Sequence, residues 1–209
     1  MLPAPALILI CPFCKGEKPV LQLDSGNTFG GEQWSDLKTI YPMMRNVSPI
    51  QQCPHCGKYY FASHAESKQG SDISLDEGNL TYEQIKEAVN QYDNVALTQD
   101  EEKTLRIMYV RIYNDKFQRE NVSHDAQPTE EDKALFRKQV LRSMQVRNKG
   151  EDVVCAELYR EIGEFEQAIR ILDTLTFDEP IMQYYASQIR QLAESGQTYA
   201  FQIKYVTKK

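Results

Sequence analysis

Two short strings in the front third of the chain, Cys11-Pro-Phe-Cys14-Lys15-Gly16 and Cys53-Pro-His-Cys56-Gly57-Lys58, repeat the same pattern. Two thiolates separated by two residues can face one ion only if the backbone turns tightly between them. Proline after the first cysteine pre-sets φ for that turn. Glycine after the second cysteine supplies the backbone freedom to complete it and lets N–H groups approach the sulfurs. Two such knuckles offer four soft ligands, Cys11, Cys14, Cys53 and Cys56, the set that suits tetrahedral Zn²⁺. A shell closed by four sulfurs leaves no position for water or substrate, so the expected role of the ion is structural. The same sulfurs also suit iron in a rubredoxin-like site. A redox dithiol pair, and a ligand role for His55 or His64 beside the second knuckle, remain as other readings of these residues.

The chain has 209 residues and five cysteines, so one cysteine is left over. Cys155 falls in an apolar helical pattern and reads as a buried thiol. In a chain without a leader, paired Cys-x-x-Cys strings favour metal over disulfides, and the expected location is the cytoplasm. The longest apolar run, Ala6 to Ile10, is too short to span a bilayer and lacks the flanks of a signal peptide. It reads as a strand entering the first knuckle. The net charge of −6 comes from the rear of the chain, while residues 1–70 are close to neutral. A surface that tracks phosphates needs a local excess of Lys and Arg, so nucleic acid is a secondary reading. Its candidate contacts are Lys15, Lys18, Arg45, Lys58 and Lys68.

Near residue 70 the pattern changes from short apolar runs rich in Gly and Pro to helix signals. The expected organisation is a ribbon over residues 1–70, with an inserted loop, and a helical domain over 71–209. Ser67 to Asp72 reads as the linker. Val20 to Leu23 and Lys58 to Phe61 are further candidate strands, and Tyr41 to Met44 reads as an extended lid segment. Thr81 with Gln84, Thr98 with Glu101 and Thr129 with Asp132 have the spacing of reciprocal helix caps. The helices that follow bury one stripe each: Tyr82, Ile85, Val89 and Tyr92; then Leu105, Met108, Tyr109, Ile112 and Tyr113; then Phe136, Val140, Leu141 and Met144. Asn121 to Pro128 separates the second helix from the third.

From Asp152 to Pro180 the chain resembles one tetratricopeptide repeat, a helix–turn–helix unit of about 34 residues. Ala156 and Tyr159 match the small and aromatic positions of the first helix, and Gly163 the turn. Phe165, Ala168 and Leu172 match the second helix, and Pro180 the closing proline, while Leu175 departs from the small residue common there. The physical reasons are independent of the family. Gly163 can take the left-handed conformation that ends a helix, Ala168 lets two helices approach, and Pro180 can open the next helix at its first turn. One repeat cannot bury its own core and must pack on something else. Together, the paired Cys-Pro-x-Cys knuckles and this rear segment also resemble uncharacterised bacterial zinc-ribbon proteins, which imply no activity. The tail, Thr198 to Val206, alternates in polarity and reads as a strand that returns to the ribbon's sheet or pairs between protomers.

The expected fold class is therefore α+β: a small N-terminal zinc ribbon followed by an α-helical, tetratricopeptide-like domain. Three histidines, no Gly-x-Ser-x-Gly elbow and no phosphate loop offer nothing that reads as catalytic. The leading functional expectation is a non-enzymatic interaction protein with structural zinc that binds a protein or peptide. An enzyme with its site between the two domains is a further alternative. Trp34, Tyr159 and Phe165 are the candidate partner contacts, although Trp34 is equally suited to covering the core over the metal.

Overall fold

The computed structural model describes residues 2–36, 38–44, 47–74, 76–119, 127–146 and 151–204. The chain is α+β, with strands in front and helices behind. It forms two compact units that interleave in sequence. One comprises Met1–Gly31 and Ile40–Leu105; the other comprises Glu32–Thr39 and Arg106–Lys209. The compositional change near residue 70 marks where strands give way to helices, whereas the units exchange chain elsewhere.

In the first unit, β1 (Leu2–Ile10) is central between β2 (Glu17–Ser25) and β7 (Glu66–Gln69), antiparallel to both. Leu7 lies opposite Val20 on one side and Gln69 on the other. Proline has no N–H to give a ladder. The β1–β2 register shifts at Leu2/Pro3 and between Ala4 and Leu7, around Pro3 and Pro5, and β7 pairs only with Leu7 to Ile10. Four exposed polar residues make up β7. The linker expected over Ser67 to Asp72 thus begins in a strand, one specified by its backbone partner and not by any apolar face. Tyr41 to Met44, expected to be extended, forms a turn.

A second hairpin joins β5 (Ile50–Gln52) to β6 (Tyr59–Phe61), whose three residues are all buried. The outer edge of β6 would expose peptide groups that need partners. Helix α1 (Tyr82–Gln91) provides them from side chains. Gln91 Oε1 accepts from Tyr59 N at 2.9 Å, and Gln91 Nε2 donates to Tyr59 O at 2.6 Å. Tyr92 Oη donates to the same carbonyl at 2.9 Å. One glutamine therefore replaces a neighbouring strand.

Helix α2 spans Gln99–Phe117, α3 Glu130–Gln145, α4 Asp152–Glu161, α5 Phe165–Asp173 and α6 Pro180–Glu194. All three expected caps form. Thr81 and Thr129 close reciprocal boxes with Gln84 and Asp132, and Thr98 does so with Glu101. Most of the expected stripe residues are buried; Met108, Ile112 and Met144 are partly buried. In α3 Leu141 is exposed, and the polar Gln139 and Ser143 are buried. Gln139 is drawn inward by the fully buried Arg106, whose Nη1 donates to its Oε1 at 2.8 Å. Beyond α3, Ala156 and Ala168 are fully buried where α4 meets α5. Gly163 adopts φ 80° at the turn between them, and Pro180 opens α6.

The core of the second unit is built on the segment taken from between the knuckles. A two-stranded ladder, β3 (Glu32–Gln33) with β4 (Thr39–Ile40), frames it. Asp36 is buried; its Oδ2 accepts from Arg119 Nη2 at 2.9 Å and from Asn114 Nδ2 at 3.1 Å. Tyr185 Oη donates to Ser35 O at 2.5 Å, and Phe201 N donates to Ser35 Oγ at 3.1 Å. The tail accordingly returns to the span 1–70, bridging to Trp34 through Gln202 beside β3, and it also bridges to Arg119 through Ala200. The outer end of that expected strand, Tyr205 and Val206, and most of the break expected at Asn121 to Pro128 lie outside the described residues.

Asp36→Ala should leave the buried Arg119 with only Asp115 of its two carboxylate partners. Loss of one partner of such a pair costs roughly 3–5 kcal/mol. Urea unfolding followed by helical circular dichroism should show a drop of that size. A change under about 1 kcal/mol would mean that solvent reaches Arg119 at little cost.

Candidate metal centre

The knuckle pattern produces two local structures with the same hydrogen bonds. In the first, Lys15 N donates to Cys11 O at 3.0 Å and Cys11 N to Gly16 O at 2.9 Å. In the second, Gly57 N donates to Cys53 O and Cys53 N to Lys58 O, both at 2.9 Å. Each loop is thereby closed across its cysteine pair. The residue after the second cysteine must be left-handed, and Lys15 (φ 61°) and Gly57 (φ 71°) occupy that position. The expectation that glycine fills it holds in the second knuckle only. In the first, Gly16 makes room for an imidazole, since a Cβ there would lie 2.3 Å from His55 Cδ2. The His55 ring covers Gly16 and its Nε2 lies 3.2 Å from Glu17 O. His55 therefore spaces the knuckles and is not one of the clustered ligands.

The four sulfurs all lie within 4.8 Å of one another. Cys11 Sγ is 3.8 Å from Cys56 Sγ, and Cys14 Sγ is 3.5 Å from Cys53 Sγ. Sulfurs held about 2.3 Å from one tetrahedral ion stand about 3.8 Å apart. A disulfide would need about 2.05 Å. The spacing thus fits a shared ion, and all five cysteines are free thiols. Cys11 and Cys53 are buried and Cys14 and Cys56 exposed, so the cluster has an inner and an outer pair. Tyr60 packs against the inner pair. His64 turns away, its Nε2 facing the Glu101 carboxyl and its ring touching Phe61.

Four thiols this close compete for protons. Burial raises the Cys53 thiol, but the backbone N–H groups of Cys56 and His55 outweigh it and bring it down to about 7. The N–H of Gly16 lowers Cys14, yet desolvation and the other three sulfurs push it up to about 12. Burial, followed by the charge of the four sulfurs, pushes the Tyr60 phenol up to about 12. A divalent cation removes this conflict by taking the place of the protons.

The remaining candidate residues are dispersed. Trp34 is buried, with the Arg119 guanidinium 4.5 Å over its ring, so it is a core residue of the helical unit and not an exposed anchor. Its segment belongs to that unit and not to the one that holds the cysteines, which corrects the expectation of a cover over the metal. Tyr159 is partly buried against the core around Ala156, Ala168 and Ile189, and Phe165 is half-buried at the start of α5. Among the five cations weighed for nucleic acid, Lys15 faces Glu66, Lys18 faces Asp76 and Lys68 faces Glu17. Lys58 lies over the Phe13 ring, and Arg45 is outside the described residues. These pairings dilute any phosphate-binding surface. Among the described residues no helix is long and apolar enough to cross a membrane.

Fold and site thus define an α+β chain with a four-cysteine cluster able to hold a metal ion. No known protein family, curated protein or solved structure matches it.

An L-residue in the left-handed region costs about 1–2 kcal/mol, so Lys15→Gly should raise the urea midpoint of the metal-loaded chain and Gly57→Lys should lower it. Equal and negligible shifts would mean that neither turn is strained. Protons compete for the thiolates, so a chelator should strip metal faster as pH falls. A rate independent of pH would remove the thiolates as ligands.

Proposed function

We propose that this chain is a non-enzymatic interaction protein, with structural zinc in a ribbon and a helical, tetratricopeptide-like scaffold that binds a protein or peptide. The observation that carries the metal half is the convergence of Cys11, Cys14, Cys53 and Cys56 at spacings suited to one tetrahedral ion. Zinc is favoured over iron because the four ligands come from short knuckles in a small unit, where a redox-inert ion contributes folding free energy directly. Such binding supplies on the order of 10 kcal/mol in small zinc domains.

The helical half rests on the α4–α5 pair. Its two buried alanines, glycine turn and opening proline of α6 are the features by which the segment resembles a tetratricopeptide repeat. Such scaffolds present side chains on stacked helices to extended partners. With Trp34 buried, the aromatic candidates for contact are Tyr159 and Phe165, which retain partial exposure. A nucleic-acid role is disfavoured by the acidic partners of Lys15, Lys18 and Lys68.

Native mass spectrometry of untagged chain from its host should report one zinc per chain and a co-purifying protein. Cys53→Ser should abolish stoichiometric metal, since it removes a buried ligand. Retention of the protein partner through a wash of roughly 0.5 M salt separates this reading from phosphate binding, which falls steeply with salt. Absence of metal with both pairs oxidised would sink the ribbon. Recovery of nucleic acid alone, lost in the wash, would sink the partner.

A further inference from the structure

Helices α5 and α6 leave a groove of about 430 Å³ between them. Leu172, Leu175 and Phe177 line it from α5 and the loop that follows. From α6 come Gln183, Ala186, Ser187, Arg190, Gln191 and Glu194, which recur at helical spacing and so form one face of that helix. Another face of α6, carrying Tyr185, Ile189 and Ala193, is buried. Leu175 and Phe177 keep part of their surface, and Gln183, Ser187, Gln191 and Glu194 are exposed, so the groove opens to solvent. Two side-chain bonds fix its walls: Gln183 Nε2 donates to Phe177 O at 2.7 Å, and Arg190 Nη2 to Asp173 Oδ1 at 2.6 Å. The groove is thus formed before anything enters it.

Helix α6 packs on α5 and on α4, as the first member of a further helix pair would. No second member follows. Gly196 (φ 68°) ends α6, Arg160 holds the carbonyls of Gln197 and Tyr199, and the chain goes on to the bridges at Arg119 and Trp34. Residues 195–204 contain no helix, so no following helix covers Leu175 and Phe177.

The charge around the groove is one-sided. Residues 164–197 carry six carboxylates against two arginines, so the field over this helix pair is negative. Arg190 is already neutralised by Asp173. Asp178 and Glu179 stand at the start of α6, where the helix dipole favours acids. Glu194 stands at the other end, where the dipole favours cations, and the last turn of α6 holds no basic residue. It is exposed in the groove wall, and among the described residues no cation pairs with it.

We propose that the α5–α6 groove docks an amphipathic helix of another protein, its apolar side chains seated on Leu172, Leu175 and Phe177 and a Lys or Arg at one end meeting Glu194. A helix laid in an apolar groove is anchored by side chains one and two turns apart. The small Ala186 and Ser187 let it approach the α6 wall closely, and its basic residue supplies the cation that the end of α6 lacks. A second copy presenting this same face would set acid against acid, so charge selects a basic partner of different sequence. The proposal rests on the reading of the helical half as a partner-binding scaffold and adds a contact to those at Tyr159 and Phe165; it is independent of the metal.

Fluorescence anisotropy of the full chain tests it with labelled, capped helical peptides of about 16 residues, close to the length of α6. The probe carries a Leu stripe at helical spacing and Lys towards one end. One control has Glu for every Lys, and another has the same composition with the stripe scrambled. The basic amphipathic helix should bind, and both controls should bind roughly tenfold weaker or less. Ser187→Trp, at an exposed position in the groove, should weaken binding roughly tenfold or more with unchanged circular dichroism. Glu194→Lys should weaken the Lys probe about fivefold and strengthen the Glu control, whereas Glu166→Lys, outside the groove, should change neither. No binding of the basic helix, equal binding of the scrambled one, full binding by Ser187→Trp, or equal effects of the two charge reversals would each overturn the proposal. So would a dimer in sedimentation that Ser187→Trp dissolves, since the occupant would then be a second copy. If Ser187→Trp keeps a co-purifying native partner, the groove falls and the scaffold reading stands; if the wild-type chain holds neither probe nor partner, both fall.

Discussion

Burial of the Asp36 carboxylate is the constraint on which the helical unit is organised. A charge removed from water must find its donors inside. Asp36 finds them in Arg119 and Asn114, on and just after α2. Arg119 must then be buried too, and its face is covered by Trp34, two residues from the carboxylate it bridges. Ser35, beside Asp36, is equally committed, its carbonyl accepting from Tyr185 on α6 and its hydroxyl from Phe201 N in the tail. Buried pairs of this kind add little net stability against an apolar core of equal volume. What they supply here is discrimination, because any slip of the segment by one residue leaves a buried charge unmet. That explains why the tail joins this segment: the two isolated bridges at Trp34 and Arg119 flank the same carboxylate.

The cysteine cluster shows how one backbone solution is reached with different side chains. Both knuckles close with the same pair of hydrogen bonds, yet a lysine takes the left-handed position in one and a glycine in the other. Gly16 is excluded from that simple role by position and recruited for another, since only a residue without Cβ lets the His55 ring lie against it. Each knuckle is thus shaped partly by the other. The outer edge of the β5–β6 hairpin, which carries the second knuckle, is held by the Gln91 amide of α1. Side chains some way from the sulfurs therefore set how firmly the second knuckle stands.

Local rules make much of this legible. Hydroxyl caps three residues before an acid or amide locate the starts of α1, α2 and α3, because both partners lie within one turn. The knuckles are legible for the same reason, as are Gly163 and Pro180 at the ends of helices. What escapes depends on partners distant in the chain. Asp36 reads as an ordinary polar loop residue until Arg119 is placed beside it. The strand β7 has no apolar face, so nothing in Glu66 to Gln69 distinguishes it from a linker except its ladder to β1. Periodicity assigns Leu141 to the core because it cannot foresee that a buried Arg106 draws Gln139 inward. Position between the cysteine pairs suggests a place for Trp34 over the metal, but its segment is packed with the helices.

The buried polar atoms that lack partners are not equivalent, and their surroundings separate them. Gln51 Oε1 stands where any Cβ at Gly78 would be 2.0 Å away, so tight packing against a glycine in the left-handed region accounts for its isolation. The Tyr60 hydroxyl belongs to a side chain packed on Cys11 and Cys53, surroundings that become strongly polar once those sulfurs are thiolates on an ion. Trp34 Nε1 sits in the filled core below Arg119. Glu161 Oε1 and Gln118 Oε1 are buried as well, close to the covered Tyr113 and Phe136 rings. Packing strain and proximity to sulfur explain the first group without further assumption.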